Sequence, residues 1–147
     1  MAGLLQGTNQ HVQDIPAPIE EVWAALADIH RWHEWNPTLV EPQGELTVGT
    51  VVRMKLVLGK RKTDMRQKII EVTPPTALRW ESRFGPTWIF LVTRSFDLQK
   101  VDETTTRLDQ SEIGTGLLAR LIFVFTGPPT IRGFVAIADA LTARLRH

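Results

Sequence analysis

A chain of 147 residues, 43% apolar and 22% charged, has the size and balance of one folded domain, which excludes a disordered tail, a collagen-like fibre and a membrane bundle. It has no cysteine and no tyrosine but five tryptophans, so disulfides, thiolate chemistry and cysteine zinc sites are excluded as well. Seventeen basic and sixteen acidic side chains leave a formal charge of +1, too little to draw the whole molecule to nucleic acid.

The charge is unevenly spread. Residues 1–50 carry seven acids and a single base, Arg31, whereas residues 53–68 carry seven bases and a single acid, Asp64. The basic stretch reads either as a solvated strand face and turn or as a patch that steers an anionic ligand or a protein partner. The longest apolar run, 121–125, has five residues against about twenty for a spanning helix, so no membrane span is expected. The N-terminus lacks the pattern of a signal peptide, and a cytoplasmic location is expected.

Residues 8–15 are polar and end in Ile15, which suits a first strand closed by Pro16 and Pro18. Proline is favoured at a helix start, where its missing N–H would be unpaired anyway. Ile19, Val22, Trp23 and Leu26 then fall on one helical stripe. A second short helical piece, IHRWHEW, stops at Asn36-Pro37, because a residue before proline avoids helical geometry.

After residue 38 the period becomes two. Val52, Met54, Leu56 and Leu58 share a strand face before a turn at Gly59-Lys60. Residues 63–73 form another strand, ended by Pro74-Pro75; Met65, Gln67 and Ile69 alternate there, but Ile70 and Val72 claim the other face, which implies a bulge or burial on both sides. Leu78, Trp80, Ser82 and Phe84 alternate next, and Gly85-Pro86 turns the chain. Trp88, Phe90, Val92, Arg94, Phe96 and Leu98 read as one face of a long strand, and residues 104–113 as the last strand. Pro128-Pro129 punctuates the start of a terminal helix with Ile131, Phe134, Val135, Ala138, Leu141 and Leu145 on its apolar stripe. The apolar segment 117–126, set off by Gly127, reads as a separate short helix or a flap.

Strands joined by tight turns pair antiparallel, and a long meander needs one face covered. The expected fold is therefore α+β: a curved antiparallel sheet of seven strands wrapped around the terminal helix, with two short helices after the first strand. A strongly twisted sheet curls, and a cavity is expected between the helix and the concave face.

Four motifs in this order resemble the START-like superfamily, which includes polyketide cyclase and aromatase domains, Bet v 1-type proteins and quinone-binding proteins. They are IPAPIEEVW at 15–23, WHEWNP at 32–37, IEVTPPTALRW at 70–80, and FDL at 96–98 followed by TTRL at 105–108. The resemblance covers about 8–146, and the whole chain, 1–147, is expected to form a single domain of this kind. It implies a helix-grip fold with an apolar cavity under the last helix. Members bind lipids, sterols, polyketides, quinones or hormones, and some are cyclases, dehydratases or hydrolases; fold alone does not fix which.

No phosphate-binding loop, dinucleotide fingerprint, nucleophile elbow or zincin motif is present, and no cofactor is expected. His30 and His33 lie three apart beside Glu34, a spacing that can ligate a metal, but no third ligand is near in sequence. The expectation is an exposed helix surface and no metal. Arg94 shares strand parity with Phe90, Val92 and Phe96, and Gln110 and Glu112 share parity with Leu108. If that face is concave, Arg94 is a buried cation that needs a partner; if a bulge shifts the register, it faces solvent. Arg94 and Glu112 are the candidates for any acid–base chemistry and, with Gln110, for orienting a ligand.

By parity or helical face Met54, Leu56, Met65, Ile69, Phe90 and Phe134 would line the cavity, and Trp80 would be core or cavity wall. The resemblance places Trp32, Trp35 and Trp88 at the cavity mouth. The expected function is enclosure of a hydrophobic small molecule of the lipid, polyketide or quinone class, as a carrier or sensor. A cyclase or dehydratase using Arg94 and Glu112 is the alternative, and an interaction module using the basic stretch is the third.

Overall fold

The computed structural model describes residues 6–58, 60–83 and 85–146. Gly59, Phe84 and His147, and the side chain of Leu58, lie outside the described residues. The chain runs β1 (Gln6–Ile15), α1 (Ile19–Ala27), a 3-10 helix (Ile29–Glu34), β2 (Leu39–Gln43), β3 (Val51–Leu58), β4 (Arg61–Thr73), β5 (Ala77–Arg83), β6 (Leu91–Asp102), β7 (Thr105–Thr115) and α2 (Ala119–Arg144). The strands form one antiparallel sheet in the order β1-β7-β6-β5-β4-β3-β2, as the alternation predicts.

The sheet's inner face is built from rows of side chains that run across the strands. One row is Gln13, Leu108 and Leu98; the next is His11, Gln110, Phe96 and Leu78; the next is Asn9, Glu112, Arg94, Trp80 and Ile69; the last is Gly7, Gly114, Val92 and Ser82. The bulge expected on the fourth strand lies between Ile69 and Glu71 and turns Ile70 outward. Between these rows, Arg79 on the outer face reaches Glu71, Asp97 and Ser95 on the neighbouring strands.

The first rows close into the main core. Ile19, Val22 and Leu26 of α1 are buried, and Glu20 and Glu21 sit in its first turn, where the helix dipole favours them. Phe134, Ile137, Ala138 and Leu141 of α2 are buried over the sheet, the last three within this core. Thr106 Oγ1 donates to the Ala17 carbonyl at 2.8 Å and ties β7 to the entry of α1. Arg144 donates to Glu34 at 2.6 Å and joins the end of α2 to the 3-10 helix. Glu34 also accepts from Arg31, and the two guanidinium groups hold its carboxyl down to about 2.

Two expectations about boundaries are corrected. Segment 117–126 is no separate flap: α2 runs unbroken from Ala119 to Arg144 through Gly127, Pro128 and Pro129. The prolines cannot donate to the carbonyls of Val124 and Phe125, but the helix is pinned on both sides of that gap, by Ala119 and Phe123 before it and Phe134 onwards after it. Packing at both ends outweighs two lost hydrogen bonds. This continuity also makes α2 long and apolar enough, by length and composition, to cross a membrane, which the longest unbroken apolar run does not reveal; here its second half is committed to the core.

The second correction concerns β6, which begins at Leu91 rather than at Trp88. Residues 86–89 form a turn in which Ile89 and Phe90 donate to the Pro86 carbonyl. The turn is tied to the start of α2, with Leu117 N–H donating to Trp88 O at 2.8 Å and Leu118 N–H to Ile89 O at 3.0 Å. Gly116 permits this approach: its φ is +114°, and a Cβ there would lie 2.5 Å from the Ile89 carbonyl oxygen.

Candidate functional site

A cavity of about 370 Å³ lies between the sheet's inner face and the middle of α2. Its origin is visible in the last inner row, where Gly7, Gly114 and Ser82 supply almost no side-chain volume. Phe123 of α2 rests on the two glycines; a Cβ added at either would come 2.5 Å from its ring. Phe123 meets Phe90 edge-on at 6.1 Å and, with Val92 and Ala119, forms a second small apolar cluster separate from the main core. The cavity occupies the space between the two clusters. Its walls are mostly apolar, with Leu39, Leu56, Met65 and Trp80 facing Ile122, Phe123, Pro129 and Phe134 of α2.

Arg94 points inward, which settles the parity question; the only register shift in its pairing with β7 comes later, between Lys100 and Asp102. Its side chain is nine-tenths buried, with 9% of the residue exposed. The guanidinium carbon stacks over the Phe134 ring at 3.9 Å and the Phe96 ring at 4.6 Å, an attractive cation–π arrangement that burial strengthens. One terminal nitrogen donates to Gln110 Oε1 at 2.7 Å, and Gln110 Nε2 donates to the Phe134 carbonyl at 2.8 Å. Gln110 thus fixes Arg94 to α2 from behind.

Among the described residues no carboxylate lies within 4.0 Å of Arg94. Glu112 is its cross-strand neighbour and lines the same cavity. Loss of solvent pulls the Arg94 guanidinium down to about 10, against the opposing attraction of Glu112, so it remains a cation at neutral pH. Loss of solvent pushes the Glu112 carboxyl up, again against the attraction of the other partner.

Among the described residues, two polar side chains of the cavity wall have buried atoms without a hydrogen-bond partner. The Arg94 Nε is buried without an acceptor, and Gln67, fully buried in the cavity wall, has neither its amide nitrogen nor its amide oxygen bonded. Buried polar groups are nearly always satisfied, so a donor on Arg94 and a donor–acceptor pair on Gln67 stand unpaired in the wall that borders the cavity. Ser82 adds a hydroxyl to the same wall.

Seven of the twelve residues singled out as candidates line the cavity: Leu56, Met65, Trp80, Phe90, Arg94, Glu112 and Phe134. The other five do not. Gln110 lies behind Arg94, and Met54, also fully buried, packs in the main core beneath Leu56 and Met65. Trp32 is not at a mouth: the tight 3-10 turn aims it into the core, where its indole N–H donates to the carbonyls of Ala25 and Leu26. It packs within about 6 Å of Trp35, Trp80 and Phe96.

Trp35 borders a different surface groove, between α1 and the end of α2. Trp88 stands on the turn before β6 with 65% of its surface exposed. Ile69, also expected in the wall, is fully buried in the core. His30 sits 3.2 Å from Glu45, and His33 Nδ1 lies 3.1 Å from the His30 carbonyl.

Thr38, Leu39, Gln67, Ser82, Val92 and the α2 residues Ile122, Phe123, Thr126, Pro129, Thr130 and Gly133 complete the lining. Parity already placed Gln67, Ser82 and Val92 on inner strand faces. Ile122, Phe123 and Thr126 fall in the segment read as a separate piece, and Pro129, Thr130 and Gly133 fall in the expected terminal helix but off its apolar stripe.

Residues 7–146 match the family model described as polyketide cyclase/dehydrase and lipid transport. The fold is similar to that of the Zhui aromatase/cyclase of a Streptomyces species, at 15% identity and a TM-score of 0.75 over 95% of this chain and 93% of that one. It is also similar to norcoclaurine synthase of Thalictrum flavum in complex with dopamine and hydroxybenzaldehyde, at 17% identity and a TM-score of 0.71 over 95% and 86% of the two chains. A ginseng (Panax ginseng) major latex-like protein aligns at 14% identity with a TM-score of 0.77, over 97% and 99%. No curated protein sequence matches the chain.

Proposed function

The chain belongs to the polyketide cyclase/dehydrase and lipid-transport family, and we propose that it encloses one apolar small molecule whose oxygen-bearing end faces Arg94. The observation that carries this reading is a buried cation, stacked on Phe134 and with no carboxylate within 4.0 Å among the described residues, in the wall of a mostly apolar cavity of about 370 Å³. The volume lies in the range of small-molecule sites, which are mostly apolar with a few placed polar groups. Burial of the ligand's apolar surface supplies affinity at roughly 25 cal/mol per Å², less the cost of ordering. Arg94, Gln67 and Ser82 orient its polar end.

The test compares two ligands of equal chain length, decanoic acid and decanol, by titration calorimetry. Arg94→Met keeps the stem's volume and removes the charge. It should weaken the acid about tenfold or more and the alcohol much less. Equal losses for both would overturn the orientation of the ligand by Arg94, and no binding of either by the wild type would count against enclosure itself.

One observation favours a second reading, a cyclase or dehydratase. Glu112, with its carboxyl raised, lies across from Arg94 in the same cavity. Such a pair suits removal of an α-proton by the carboxylate while the guanidinium stabilises the enolate oxygen. An enolisable β-diketone in deuterated buffer separates the readings: catalysed exchange at the central carbon that Glu112→Gln abolishes supports the enzyme, and exchange at the uncatalysed rate supports the carrier.

A further inference from the structure

We infer that the end of the molecule surrounding the cavity docks on an anionic lipid bilayer. The surface argument stands apart from the identity of anything in the cavity. Strand pairing brings the β3–β4 turn, the β5–β6 turn, the β7–α2 turn and the start of β1 to the same end of the sheet. The cavity reaches the same end, lined by Leu56 and Met65 from β3 and β4 and by Ile122 and Thr126 from α2.

The first half of α2 is apolar on both sides. Ala119, Ile122 and Phe123 face the second cluster. Leu118, Leu121 and Phe125, at spacings of three and four, form the opposite stripe; Phe125 is 74% exposed, and Val124 beside it 67%. Trp88 and Leu117 extend the stripe, because the Leu117 N–H bonds to the Trp88 carbonyl. A helix apolar all round is expected where both sides are covered, and an exposed contiguous patch of this kind marks an interaction surface.

Charge selects the occupant. Among the described residues, 60–63, 83, 85–91 and 113–131 lie at this end and contain Lys60, Arg61, Lys62, Arg83 and Arg120 and no acidic residue. Lys62 and Arg83 make loose contacts to acids on neighbouring positions, Glu41 and Glu81, each at 3.8 Å. A second copy seated symmetrically on this face would set five bases against five bases, which like-charge repulsion opposes. A bilayer with anionic headgroups meets both features: the Leu, Val, Phe and Trp side chains enter the acyl boundary while the bases lie at headgroup level.

The test is sedimentation of the full chain with vesicles of phosphatidylcholine alone or with about one-third phosphatidylserine, at low and at physiological salt. The chain should pellet with the anionic vesicles, more weakly as salt rises, and much less with the neutral ones. Leu121→Ser with Phe125→Ser, and separately Lys60→Glu with Arg61→Glu, should each reduce partitioning tenfold or more while the melting temperature stays put. Absence of binding to anionic vesicles at low salt would overturn the inference. So would binding that survives both double substitutions, or a dimer that the serine pair dissolves in the absence of vesicle binding.

Discussion

The two ends of the inner sheet face share strands and diverge in what their rows carry. At one end Leu98, Leu108 and Phe96 stand on β6 and β7, and Trp32, Leu26 and Leu141 descend on them from the helices until no space remains. At the other end the same strands present Gly7, Gly114 and Ser82; Phe123 of α2 rests on the two glycines and, with Ala119 and Ile122, packs a smaller cluster there. One register therefore builds a closed core and an open cavity in succession, and the change comes from side-chain volume rather than from backbone. Arg94 and Glu112 stand on the row between, where a charge is shielded from water on one side and reachable by a ligand on the other.

The largest expected effect tests this contrast in stability. Phe96→Ala should cost about 3–5 kcal/mol, since its neighbours are pinned by two helices and cannot collapse into the gap. Phe123→Ala should cost about 1–3 kcal/mol, because its ring already borders a cavity. Chemical denaturation of both variants checks the order; equal losses would mean that the two clusters are one core.

A smaller effect sharpens the role of the glycine pair. Gly114→Val drives a side chain into the Phe123 ring and should cost about 1–3 kcal/mol by overpacking. In a double-mutant cycle, Phe123→Ala should recover part of that loss. Additive costs would show that Phe123 is not seated on Gly114.

The smallest effect is a pH dependence. A carboxyl raised in the folded state holds its proton more tightly there than in the unfolded chain. The stability it contributes is therefore complete below the ordinary carboxyl range and is lost as pH rises through its folded value. Glu112→Gln removes that loss. The variant should melt close to the wild type near about pH 4 and a few degrees above it by about pH 7. A gap that stays constant with pH would contradict the burial of this carboxyl.

Much of this architecture is legible in the sequence. Alternation at 52–56, 78–82 and 90–98 groups the side chains that share a face, because a half-buried strand writes its burial into a period of two, but it leaves Arg94 open between the concave side and solvent. The helical end was less legible. Gly127-Pro128-Pro129 has the local chemistry of a break, and the forces that carry α2 through it are tertiary contacts made by Phe123 and Phe134 with distant strands. Trp88 shares parity with β6 but precedes it, since the turn's hydrogen bonds to α2 hold it outside the ladder. Trp32 and Trp35, three residues apart in one short motif, part to a core and a surface groove; the 3-10 helix, in which i and i+3 would eclipse, ends at Glu34, and Trp35 leaves its geometry. Gly7 and Gly114 are visible in the sequence, but only pairing shows that they adjoin.

The most direct test of enclosure is native mass spectrometry of gently purified protein, wild type beside Ser82→Phe, which fills the cavity from its floor. The account predicts a wild-type species heavier by one apolar molecule, either as purified or after incubation with a fatty acid, an isoprenoid quinone or an aromatic polyketide, and a Ser82→Phe species at its bare mass. A wild type that stays at bare mass throughout, or a filled variant that still carries the ligand, would contradict it.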